Sequence, residues 1–181
     1  AAIAWSDSLA TIPGETVYRQ AERLVLRGYA NLLVEYYERN VPYGMKPQIP
    51  LWKKAYDLTH EMPNVCIRRA YAEIIYYLLS GAYNQAMLYD EQVALMNDFN
   101  ATLDSYYNTD KRLGRRPYLY ADNSYVRPYQ QLIRCALNLG REDLADKHFL
   151  DFRERMLDAR GTNLVRNKTY LYELGYLLRG I

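Results

Sequence analysis

The stretch YVRPYQQLIRCALNLGREDLADKHFLDFRERMLDARGTN, residues 125 to 163, decides the fold of this chain. Apolar side chains recur in it at spacings of three and four residues on both sides of Gly140, and that is the spacing of one helix face. Ser124 precedes the first segment as a candidate N-cap, and Gly140 follows it as a candidate stop. We therefore predict one helix over 124–139 and a second over 142–160. The short turn between them makes the two helices antiparallel.

The same helical spacing runs through almost the whole chain, and alternating strand pattern is nearly absent. Glycine and proline separate the helical segments. We predict seven helices, over residues 15–39, 51–61, 65–79, 83–103, 124–139, 142–160 and 165–179. The fold class is therefore all-α, an α-α superhelix of tandem antiparallel hairpins. We expect an N-terminal extension over 1–13 and a single helical-repeat domain over 14–181, with a long polar loop at 104–123.

The composition argues against several functions. The net charge is +2, with 23 basic and 21 acidic residues, which is far from the basic excess of a nucleic-acid-binding domain. The two cysteines are far apart and read as free thiols. No run is apolar enough to span a membrane. Asp57 with His60 and His148 with Asp151 each share a helix face, but two histidines are too few for a typical zinc or iron site.

No glycine-rich phosphate loop and no catalytic constellation stands out in the sequence. We therefore expect neither an enzyme nor a bound cofactor or metal. The basic cluster KRLGRR, residues 111 to 116, reads either as solvated surface or as a docking arm for an acidic partner.

A frame of residues in the 125–163 stretch recurs elsewhere in the chain. Tyr129 is followed by apolar residues three and four positions later, then by Gly140 and by an alanine five positions after it. The same order recurs from Tyr71, and in part from Tyr18 and from Tyr170. We expect the aromatic and apolar residues to form the inward face of the first helix. The glycine allows a tight turn, and the alanine lets the second helix approach closely.

These residues resemble the pentatricopeptide repeat family. The resemblance lies in Pro-Tyr-Gln-Gln-Leu-Ile, Leu-Gly-Arg-Glu-Asp-Leu-Ala and Arg-Gly-Thr-Asn of the 125–163 stretch, and in Gly44-Met45-Lys46-Pro47, which is similar to the Gly-x-Lys-Pro that closes such a repeat. Tetratricopeptide repeats share the hairpin and part of the frame. Two of the four copies are degenerate, and the copies lie farther apart than is usual in the family.

The resemblance implies one of two uses. Pentatricopeptide proteins usually read single-stranded RNA, one base per repeat. The family's main base-reading position follows the aromatic residue of the first helix, and the matching positions here are Arg19, Ala72, Gln130 and Leu171. Ala72 and Leu171 cannot hydrogen-bond a base edge. RNA reading in an organelle is therefore the alternative, and docking on protein is the preferred function.

Tyrosine and arginine are enriched in protein-protein hot spots, and they supply the candidate docking residues. These candidates are Tyr36, Tyr37, Tyr76, Tyr77, Lys111, Arg112, Arg115 and Arg116. For any one tyrosine pair, the simpler expectation is that one ring is buried and the other is at the surface.

In size and helix number the chain is similar to the small helical-repeat subunit on the catalytic head of the ATP synthase of euglenozoan mitochondria. That resemblance implies a structural subunit that contacts an ATP synthase α subunit. It also implies a location on the matrix side of the mitochondrion after removal of a targeting peptide.

Overall fold

Six α-helices and one short 3-10 helix form the part of the chain that the computed structural model describes, which is residues 16–39, 44–112 and 126–160. No strand occurs in these ranges. The prediction of an all-α fold is therefore confirmed. The helices are α1 (Val17–Tyr37), α2 (Ile49–Thr59), α3 (Val65–Gln85), α4 (Tyr89–Arg112), α5 (Val126–Asn138) and α6 (Glu142–Arg160), and the 3-10 helix Lys46–Gln48 leads into α2.

The chain divides into two compact units, residues 1–86 and 87–181. In the first unit α2 packs against both α1 and α3. In the second unit α5 packs against both α4 and α6. The superhelical stacking of the hairpins and the single repeat domain over 14–181 stay predictions.

Local hydrogen bonds define several helix ends. The side chain of Asn64 accepts hydrogen bonds from the backbone N–H groups of Cys66 and Ile67 at 2.9 and 3.1 Å, which caps the start of α3. Gly140 has a φ of +67° just after α5. The N–H of Arg141 donates to the carbonyl of Ala136 at 2.9 Å. This is a Schellman turn, so the predicted stop at Gly140 is confirmed.

The predicted stop at Ser80 and Gly81 is wrong, because α3 continues through both residues to Gln85. Ser80 is completely buried, and a Cβ at Gly81 would lie 3.3 Å from the Met45 methyl. Ser80 is thus enclosed within the packed helix and Gly81 lies beside the end of the Met45 side chain, so neither residue forms a turn. The helix α3 ends at Gln85, and Met87 beyond its end adopts a positive φ of 57°.

The predicted loop at 104–123 is also wrong over its first half. The helix α4 continues to Arg112, so residues 104–112 are helical. Phe99 and Leu103, which precede this segment on α4, are fully buried, and residues 104–112 continue the same helix. Residues 113–123, together with the expected cap at Ser124, lie outside the described residues. The extension 1–13 and the predicted helix 165–179 lie outside them as well.

The helices α1 and α2 approach each other closely at Gly28. A Cβ at this position would lie 2.3 Å from Trp52 Nε1 and 2.8 Å from Trp52 Cε2. The Trp52 side chain is completely buried, and its ring meets that of Tyr29 edge-on with centroids 6.0 Å apart. Position 28 must therefore be glycine because the indole occupies the place of a side chain.

The second unit is built around the repeat frame. Tyr129, Leu132 and Ile133 on α5 are buried against α6, where the Phe152 ring lies 5.5 Å from that of Tyr129. In the first unit the matching frame does not hold. Ile75 is buried, but Ile74 is 60% exposed. The expectation that both apolar residues of the pair face inward is therefore wrong for α3.

Replacing Gly28 by alanine tests the contact with Trp52. We expect Gly28→Ala to lower the free energy of unfolding by about 1–3 kcal/mol, because the new methyl overpacks a ring that is closed in on all sides. Gly81→Ala is the matched control in a helix interior. Its new methyl meets only the flexible end of Met45, so helix propensity should make it neutral or stabilising by up to about 1 kcal/mol. Urea unfolding measures both, and equal effects would contradict the role of Gly28.

Candidate functional site

An open groove runs between α1 and α3 in the first unit, with a volume of about 440 Å³. The helix α1 contributes Glu22, Val25 and Leu26, and α3 contributes Tyr71, Ile74 and Ile75. Both helices pack on α2, which holds them side by side.

The walls of the groove are apolar and accessible. The Leu26 side chain is 46% exposed and that of Ile74 is 60% exposed, whereas Ile75 at the floor is buried. Single exposed apolar residues are common on protein surfaces, but these line one concavity from two helices. Rimmed apolar concavities of this kind are typical of binding sites.

One end of the groove is polar. The Tyr71 hydroxyl donates a short hydrogen bond to Glu22 Oε1, and the Tyr18 ring lies 6.0 Å from that of Tyr71. The hydrogen bond to Glu22, with burial and the negative charge of Glu22 as lesser causes, raises the pKa of Tyr71 to about 12. The phenol therefore stays protonated at neutral pH and ties α3 to α1 across the groove.

The two tyrosine pairs proposed for docking are placed differently. Tyr36 and Tyr37 at the end of α1 are 47% and 75% exposed, so both rings are accessible. Tyr76 is completely buried, and Tyr77 is half-buried with its hydroxyl 3.4 Å from Glu73 Oε1. The docking role predicted for Tyr76 is wrong, because a ring enclosed by the first unit has no surface to offer.

The basic cluster is only partly described. Lys111 and Arg112 lie on the last turn of α4, which the sequence assigned to a loop. Arg115 and Arg116 lie outside the described residues. A docking role for these four residues stays a prediction.

Two of the three candidate base-reading positions in the described ranges are buried. Arg19 is exposed on α1, but Ala72 is completely buried and Gln130 is 7% exposed. Leu171 lies outside the described residues. A buried side chain cannot contact a base, so the geometry of positions 72 and 130 disfavours RNA reading of the usual kind.

The histidine pair Asp57 and His60 has other neighbours that engage it. Asp57 is engaged by Lys53, whose Nζ lies 2.9 Å from Asp57 Oδ2, and His60 is exposed beside the Tyr56 ring. Across the described ranges, no group of three or more His, Cys, Asp or Glu residues could hold a metal ion. None of the helices in those ranges is both long enough and apolar enough to cross a membrane.

A buried polar pair lies in the second unit and was not anticipated from the sequence. His148 on α6 is 4% exposed, and its Nε2 shares a short hydrogen bond with the Tyr89 hydroxyl at the start of α4. Asp151 Oδ2 lies 3.7 Å from His148 Nδ1. Burial lowers the pKa of His148, opposed by Asp151 and assisted by the positive charge of Lys147. The pair thus ties α4 to α6 with a neutral imidazole.

The sequence contained only a weak signal for the groove. Its α1 wall carries apolar residues outside the buried face, and such excess apolar surface on a helix often marks a binding face. The repeat frame predicted that Ile74 faces the interior, so the α3 wall of the groove was not predicted.

Comparison of the chain with models of known protein families, with curated protein sequences and with solved structures finds no match. The resemblance to pentatricopeptide repeats stays a prediction from the residues quoted above.

The buried imidazole predicts a pH dependence of stability. The pKa of His148 is lower in the folded chain than the value of about 6.5 in an unfolded one, so the unfolded state binds the proton more readily. The free energy of unfolding should therefore fall as the pH decreases below about 6.5. We expect His148→Gln, which keeps a neutral hydrogen-bonding side chain, to reduce that slope in urea unfolding between pH 7.5 and 5. An unchanged slope would show that other groups cause it; His60→Gln, at an exposed site, is the control.

Proposed function

We propose that this chain is a non-catalytic accessory subunit that docks on another protein through the groove between α1 and α3. The observation that carries the proposal is the pair of exposed apolar walls, Leu26 and Ile74, facing one concavity. Covering the exposed half of each side chain contributes about 1 kcal/mol, since full burial of such a side chain contributes roughly 1.5–3 kcal/mol.

The shape and chemistry of the groove favour a narrow apolar partner segment. A volume of about 440 Å³ accommodates a few side chains rather than a folded surface. The Glu22 carboxylate and the Tyr71 hydroxyl at one end give such a segment a fixed polar contact. An amphipathic helix laid between α1 and α3 supplies both an apolar face for the groove walls and a polar group for this end.

For the identity of the partner we propose the catalytic head of a mitochondrial ATP synthase, with the α subunit as the contact. This part of the proposal is supported by the resemblance in size, helix number and degenerate base-reading positions. The proposed location of the protein is therefore the matrix side of the mitochondrion.

The test is affinity purification of the tagged chain from its own cells, with and without ribonuclease, followed by mass spectrometry. We expect a fixed-ratio protein complex that survives ribonuclease, with ATP synthase subunits among its members. Loss of all partners on ribonuclease treatment would overturn the proposal and favour a pentatricopeptide RNA-binding protein. A ribonuclease-resistant complex without ATP synthase would keep the docking function and exclude this partner.

A matched pair of variants on α3 localises the docking site. We expect Ile74→Glu to reduce recovery of the partner at least tenfold, because it places a charge on an apolar wall that the partner covers. Ile67→Glu is the control, since Ile67 is exposed on the same helix but does not line the groove. Circular dichroism of both variants checks that they fold. Equal recovery of partner by the two would contradict docking in the groove.

A further inference from the structure

A line of large side chains lies exposed along α1. Leu26, Tyr29, Leu33 and Tyr36 are 46%, 39%, 51% and 47% exposed. Their spacings of three, four and three residues place them on one face of the helix, as in the seam of a coiled coil. These four residues form the α1 stripe, of which only Leu26 also lines the groove.

The α1 stripe carries no charge. Between residues 26 and 37 the only charged side chains are Arg27 and Glu35. Each of these two residues is adjacent in sequence to a member of the stripe, and its side chain therefore points about 100° away from that member around the helix. The stripe therefore offers no charge complementarity to a basic or an acidic partner, and pairing it with itself opposes no like charges.

The order of residues in the stripe is self-complementary. Positions 26 and 36, and likewise 29 and 33, are symmetric about position 31. In an antiparallel pair of α1 helices Leu26 therefore lies opposite Tyr36, and Tyr29 lies opposite Leu33. Each of the four layers then contains one leucine and one tyrosine, whereas a parallel pair would alternate Leu–Leu and Tyr–Tyr layers of unequal volume. The antiparallel arrangement is the two-fold, isologous contact of a homodimer.

The area is sufficient for a weak dimer. With roughly 200 Å² for a large side chain, the exposed fractions of the stripe and of the adjoining Tyr37 sum to about 500 Å² per copy. Two copies therefore bury at most about 1,000 Å², which is the area of a weak interface rather than of a stable one. The tyrosine hydroxyls stay at the edge, where water satisfies them.

We propose that two copies of this chain associate through the α1 stripe as an antiparallel, two-fold symmetric dimer. The dimer and a partner in the groove would both cover Leu26, whereas Leu33 and Tyr36 lie outside the groove and belong to the dimer contact alone.

Sedimentation equilibrium of the purified full chain over about 1–100 μM tests the association. We expect a monomer–dimer equilibrium in this range, and a dissociation constant at least tenfold weaker for Leu33→Glu, which places a glutamate opposite Tyr29 twice per dimer. Leu150→Glu on α6 is the matched control, because Leu150 is 50% exposed against 51% for Leu33. A chain that stays monomeric at 100 μM, or equal effects of the two variants, would overturn the proposal. Ile74→Glu should leave the dimer intact, which separates this test from the docking test.

Disulfide cross-linking tests the orientation. The background is Cys66→Ser, since Cys66 is exposed and Cys135 is buried. Under mild oxidation, a mixture of Leu26→Cys and Tyr36→Cys chains should form a heterodimeric cross-link. Tyr36→Cys alone should not, because its two copies lie about 15 Å apart along the antiparallel axis, beyond disulfide reach. A cross-link with Tyr36→Cys alone, or none in the mixture, would overturn the antiparallel pairing.

Discussion

The contact between Gly28 and Trp52 is the constraint on which the first unit depends. The indole of α2 lies directly on the backbone of α1, where any side chain would collide with it. In the described residues Trp52 Nε1 has no hydrogen-bond partner, so steric fit rather than a polar bond fixes the position of the ring. A hydrogen bond of 3.1 Å from Asn31 to the buried Gln48 adds a second tie between α1 and the 3-10 turn. With α1 and α3 both held on α2, the groove between them follows.

The two units use related sequence for different purposes. In the second unit the aromatic and apolar residues of the frame face inward and close the core on Tyr129 and Phe152. In the first unit α3 leaves Ile74 outside, and the surface that the second unit buries becomes the wall of an open groove. Ile74 is thus released from packing, and this exposed position is the one that the docking proposal uses.

The chain contains 20 tyrosines, and those in the described ranges occupy several different environments. Tyr76 fills the core, and burial raises the pKa of its hydroxyl. Tyr71 and Tyr89 keep one end in the protein and use the hydroxyl to link neighbouring helices, to Glu22 in one unit and to His148 in the other. Tyr36 and Tyr37 present their rings to solvent. One residue type therefore serves in the core, in polar links between helices and at the surface, since it combines a large apolar ring with a polar tip.

The sequence by itself determined the helices and the hairpin around Gly140, because these depend on local spacing, capping and one left-handed residue. It predicted the range of α6 in full. For α5 it predicted 124–139, whereas the helix runs over Val126–Asn138; Leu139 lies beyond its end, and residues 124 and 125 lie outside the described residues. It did not reveal that Ser80 and Gly81 lie inside a helix, since a small residue reads the same whether it serves a turn or a close contact. Only the tertiary structure decided which of two adjacent apolar residues, Ile74 or Ile75, faces the core. That choice depends on where α1 lies beside α3. The position of α1 is set in turn by the fit of Trp52, on α2, against Gly28, on α1.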